Sequence, residues 1–137
     1  EYDARGAVVW EAAAPGGARR AAHQPNGNTV VTCGDLRKES MIFEADGDGR
    51  VVWKIAHDEL PGVSLKLAAG FQRLPNGNTV LANFLGHSEL GSAPHLIEVT
   101  PDKKVVWTFH DHERMKTISS VQLLDVPGDA TRGEIIH

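Results

Sequence analysis

The sequence carries a single cysteine, Cys33, so no disulfide can form within the chain and cysteine usage says nothing about redox compartment. Cys33 itself reads as a small apolar residue in a strand. No apolar run approaches the roughly 20 residues that a membrane-spanning helix needs, so no membrane span is expected. Basic residues never accumulate: the densest stretches are Arg19–Arg20 and Arg37–Lys38, and the net charge is -4. No nucleic-acid partner held by a basic field is therefore expected. A signal-peptide pattern is missing, and the chain opens on Glu1 rather than Met, which points to a start after processing or inside a longer polypeptide. Helical periodicity is also missing beyond about a turn. The Ala-rich stretch Glu11–Arg20 is broken by Pro15-Gly16-Gly17.

What is present is repetition. Pro25-Asn26-Gly27-Asn28-Thr29-Val30-Val31 returns as Pro75-Asn76-Gly77-Asn78-Thr79-Val80-Leu81. Val-Val-Trp occurs at Val8–Trp10, Val51–Trp53 and Val105–Trp107, each time after a glutamate (Glu1, Glu44, Glu98) and a short turn. A spacing of about 50 residues lies among the periods of propellers and related arrays. Apolar residues alternate around the tryptophans, with Val51, Trp53 and Ile55 on one face and Val105, Trp107 and Phe109 on its equivalent, as strands require. The Asn-Gly pairs predict type I′ hairpin turns.

These signals predict an all-β chain of four-stranded antiparallel units, with strands a to d in each. Strand a ends at the Asn-Gly turn, b follows it, c carries the glutamate and d carries Val-Val-Trp. The order is c–d over 1–17, a full unit over 18–56, a full unit over 66–109, and a–b over 117–137. The final pair is Ile118–Leu124 and Gly133–His137. Twelve strands are three blades of a β-propeller with one blade split between the ends, half of a six-bladed ring. Three blades are fewer than the four to eight that close a ring. Either a second copy of the chain closes it by self-association, or the missing blades belong to an N-terminal part of a longer chain.

Leu74–Leu81 (Leu-Pro-Asn-Gly-Asn-Thr-Val-Leu) together with Leu96–Trp107 resembles the repeats of arylsulfotransferase-like and PQQ-like propeller proteins. The resemblance covers essentially the whole chain and implies blade architecture and an extracytoplasmic location. Asp46–Trp53 is similar to the tryptophan-docking repeat of quinoprotein dehydrogenases, one residue shorter. A quinoprotein redox site would also need a vicinal cysteine pair, so no cofactor is expected.

In a propeller the a–b and c–d turns share one rim, and the b–c and d–a connections share the other. The first group is short, and the second is long and varied. Loops held by a rigid scaffold are the usual home of function, and His57, His87, His95, His110 and His112 all lie there. His110-Asp111-His112-Glu113 is the most suggestive cluster, since imidazoles and carboxylates ligate divalent metals. Alternation would let His110 and His112 share an ion and send Asp111 the other way; the competing account is a polar loop satisfying its own backbone. Asp46–Gly49 reads as a hairpin turn, because a calcium loop's closing glutamate is absent. His23 lies in an a strand with Arg73 at the matching place in the next unit and Leu123 in the third. A histidine and an arginine facing one channel could hold an anion, or serve a sulfuryl transfer implied by the resemblance, with His23 as nucleophile. Trp10, Trp53 and Trp107 read as packing between adjacent sheets.

The expected function is thus a non-catalytic binding module presenting a histidine-containing rim, with His23, Arg73, His57, His110 and His112 as candidate ligand contacts. The alternatives are an arylsulfotransferase-like enzyme and a self-assembling half-ring.

Overall fold

The computed structural model describes residues 1–35, 39–86 and 88–124. Its strands are β1 (Ala18–His23), β2 (Thr29–Cys33), β3 (Met41–Ala45), β4 (Val51–Ala56), β5 (Ala68–Arg73), β6 (Thr79–Asn83), β7 (Leu96–Val99) and β8 (Val105–Phe109). They form two antiparallel sheets in meander order, β1-β2-β3-β4 and β5-β6-β7-β8. The all-β expectation holds, with no helix among the described residues. β2 and β6 are inner strands buried along their whole length. Their Thr-Val-Val-Thr-Cys and Thr-Val-Leu-Ala-Asn runs lack polar alternation because both of their faces are covered.

The sheets match even in their irregularities. Register slips between Ala18 and Arg20 in one sheet and between Ala68 and Gly70 in the other. It slips again where Glu44 pairs with Trp53 but Ala45 with Val51, and where Glu98 pairs with Trp107 but Val99 with Val105. Bulges at equivalent places bend and twist both sheets in the same way.

The Asn-Gly turns differ from expectation. Asn26 and Asn76 are not among the residues with positive φ, whereas Gly27 and Gly77 both sit at 86°. Gly27 N–H donates to the Gln24 carbonyl and Gln24 N–H to that of Asn28, and Leu74, Gly77 and Asn78 repeat the pattern. These are type I turns closed by a left-handed glycine. Pro25 and Pro75 enforce the change, since proline holds φ near −65° at the first corner, where a type I′ turn needs φ > 0. The β3–β4 and β7–β8 turns place Gly49 (77°) and Lys103 (63°) in the left-handed position. All four turns therefore lie at one end of the sheets, and the long loops lie at the other.

The sheets pack face to face. Val30, Ile42 and Ile55 from the first meet Phe71, Leu81 and Ile97 from the second, with Leu60 and Leu65 closing one end. The other face of the first sheet, through Val31 and Phe43, is covered by Trp10, Ala12 and Ala14. The expected N-terminal c–d pair is a short hairpin there. It has one bridge, Tyr2 to Val8, and Glu1 and Trp10 joined through main-chain atoms. Residues 118–124, expected as an a strand, form no strand, yet they run beside β5. A Cβ on Gly70 would lie 3.0 Å from the Ser119 carbonyl oxygen, and Leu123 N–H donates to Gln72 Oε1 at 2.7 Å. The expected Gly133–His137 strand and the turn before it lie outside the described residues.

Candidate functional site

His23 and Arg73 end β1 and β5, at matching places, and each meets a carboxylate from the unit before it. His23 Nε2 lies 3.2 Å from Glu1 Oε2, and its Nδ1 is 3.0 Å from Thr29 Oγ1. Arg73 Nη2 lies 2.7 Å from Glu44 Oε2, and the guanidinium sits 4.9 Å above the Trp53 ring. Glu44 Oε1 also accepts from Asn26 and Asn28. Burial alone would raise the Glu44 pKa, but the amides of Asn28 and Asn26 and the Arg73 charge outweigh it and hold the carboxyl below its ordinary value. The two residues do not converge on one anion. They close successive junctions between units. With Arg73 drawn toward Glu44, the hydroxyl of Thr79, which matches Thr29, is buried without a partner.

The tryptophans complete the same junctions. Trp10 Nε1 donates to the Asp46 carbonyl at 3.1 Å and Trp53 Nε1 to that of Pro101 at 2.8 Å, each in the turn of the next unit. The sequence predicts packing for all three, and Trp10 and Trp53 do pack on the clusters beneath them. Trp107 stacks on Phe109 but stays 44% exposed.

At the loop end, His110 and His112 share a side as alternation requires, while Asp111 turns away to Arg114. Their rings stack at 5.8 Å and 18°. Among the described residues no three His, Cys, Asp or Glu side chains are placed to hold a metal. His57 is half-exposed beside Asp58, at 3.9 Å, and His87 lies outside the described residues.

A third imidazole joins the pair. His95 is fully buried, with its ring 4.5 Å from that of His112. Its Nδ1 accepts the Asp111 N–H at 3.3 Å, so in the neutral ring Nε2 carries the proton. That Nε2 and His112 Nδ1 are buried without partners. Desolvation of the ring, and then the neighbouring His95 and His110, lower the His112 pKa. The sequence offered no signal for His95's role, since it stands where the first sheet has Met41.

Asn83, also missed, organises this end. Its Oδ1 accepts from the N–H groups of Lys66 and Leu67, and its Nδ2 donates to the carbonyls of Ser64 and Pro94. One buried amide thus pins the loops on either side of β6. The equivalent residue in the first sheet is Cys33, whose thiol is pushed up by burial and by Glu39.

No protein-family model matches the chain, and no curated protein is significantly similar to it. Among solved structures it is similar to a crystal structure of a protein of unknown function from Bacteroides caccae, at 28% identity and a TM-score of 0.66. The match covers 77% of this chain and 39% of that one, so the present chain spans well under half the length of its neighbour.

Proposed function

We propose that the chain is a non-catalytic segment of a β-propeller, a binding and interaction module whose four-stranded units dock in series and carry a histidine-bearing rim of loops. Successive four-stranded meanders stacked face to face support the blade arrangement. The observation that carries the non-catalytic part is the fate of His23 and Arg73. Sulfuryl transfer needs an imidazole nitrogen free to attack and donors converging on the transferred oxygens. His23 instead has Thr29 on one nitrogen and Glu1 on the other, and Arg73 is engaged by Glu44. Behind the other rim, the nitrogens of His95 and His112 are buried without partners, so this end holds polar capacity that the fold itself leaves unused.

Incubation with 4-nitrophenyl sulfate as donor and phenol as acceptor tests this directly. Neither the wild type nor His23→Ala is expected to release nitrophenol above the buffer rate. Turnover by the wild type that disappears in His23→Ala would restore the transferase.

A further inference from the structure

At both junctions inside the chain, the indole N–H of one unit is received by a carbonyl in the c–d turn of the next. Trp107 holds the same register as its predecessor, opposite Glu98 as Trp53 is opposite Glu44. Among the described residues its N–H meets no acceptor, and Val106 beside it is also exposed. An indole with a wet, unbonded N–H at a position that is otherwise a dock is an interaction surface with a known partner shape.

The other end of the chain has that shape. In the Asp3–Gly6 turn, Asp3 N–H donates to the Ala7 carbonyl and Gly6 N–H to that of Asp3, the same two bonds that close the Asp46–Arg50 and Thr100–Lys104 turns. Gly6 has the left-handed φ of Gly49 and Lys103. The preceding chain crosses the Asp46–Arg50 turn so closely that a Cβ on Gly49 would lie 2.4 Å from the Glu11 carbonyl oxygen, whereas a Cβ on Gly6 would meet nothing within 4 Å. Tyr2, Val8 and Val9 are exposed beside it. One end therefore carries an unused donor and the other an unused acceptor. They lie on opposite sides of the stacked sheets: the hairpin of Trp10 covers the outer face of the first, and Trp107 stands on the outer face of the second. They cannot meet each other within residues 1–124.

We infer that Trp107 docks a second copy of this chain, donating its indole N–H to that copy's Asp3–Gly6 turn. Such a head-to-tail contact continues the junction already made twice within the chain, and made at both ends it lets two copies close on each other. The inference rests on the unit-docking reading given above.

Sedimentation velocity over a concentration series tests it. The wild type is expected to dimerise, and Trp107→Ala to weaken the dimer by about 30-fold or more, as loss of an interface anchor does, with an unchanged far-UV circular dichroism spectrum. A mixture of Val106→Cys and Ala4→Cys chains, both keeping Trp107, should be joined by a short bismaleimide, with neither chain joined to itself; Cys33 is buried and does not compete. A wild type that stays monomeric, a dimer indifferent to Trp107→Ala, or cross-linking without the Ala4→Cys chain would each overturn the inference. Trp53→Ala separates the two levels. If it leaves stability unchanged, unit docking itself is wrong; if it destabilises a monomeric protein, only the pairing of copies is.

Discussion

The junction between the N-terminal hairpin and the first sheet and the junction between the two sheets use the same positions with different chemistry. In both, a tryptophan reaches a turn carbonyl and a glutamate meets a basic side chain from the next unit. In the first, Glu1 and His23 are about half-exposed, at 46% and 52%. In the second, Glu44 and Arg73 are 13% and 20% exposed, and two asparagine amides and the Trp53 ring join them. A main-chain carbonyl serves the tryptophan whatever residue bears it, so docking geometry survives drift in sequence. The strength of each junction is left to the residue at the end of the a strand, His23 in the first sheet and Arg73 in the second.

The contrast can be broken most severely at Trp53. Trp53→Ala is expected to cost about 3 kcal/mol or more in urea unfolding, because it empties part of the core between the sheets and removes the bond to Pro101. Trp10→Ala should cost less, since it lies on a smaller cluster. Next comes Arg73→Leu, which leaves Glu44 partly buried without its cation and should cost about 3 kcal/mol. The matching His23→Leu should stay below about 1 kcal/mol, because its contact with Glu1 is half-exposed and screened by solvent whether or not the ring is charged. Equal losses at the two positions would show that burial does not set the difference. The smallest effect is one of pH. Because the folded-state pKa of Glu44 is depressed, its contribution is complete above the ordinary carboxylate value of 4.5 and is lost as pH falls through the lower folded value. Unfolding followed from pH 7 downward should therefore show less acid loss in Glu44→Gln than in the wild type.

The repeat and its strands could be read from residue pattern alone, because period-two alternation and Pro-Asn-Gly-Asn-Thr are local signals. Even the junction partners stood in plain view as a glutamate before every Val-Val-Trp. What pattern could not show was that His23 and Arg73 look back to those glutamates rather than toward a common channel, since their partners belong to the preceding unit. The turn type differs from what Asn26-Gly27 alone predicts because the ring of Pro25 dictates the first corner. At residues 118–124 the apolar pattern of a strand is present, but the contacts with β5 run through Gln72 and Gly70 rather than through a ladder. His95 reads in the sequence as one more histidine of the loop-rich rim; its burial stays hidden because a lone histidine carries no motif and its neighbours come from a loop sixteen residues on.

Asn83 has a consequence for how this molecule can change. Its four hydrogen bonds all go to main-chain atoms, at Ser64, Lys66, Leu67 and Pro94. Such a clamp is indifferent to the side chains of the segments it holds. Substitutions at exposed positions of those segments, such as Asp58, Pro61, Leu90 and Ser92, can alter what that surface touches while the backbone keeps its path. The amide makes this end of the second sheet a natural place for new specificities to be written, by drift or by design, without refolding what lies beneath.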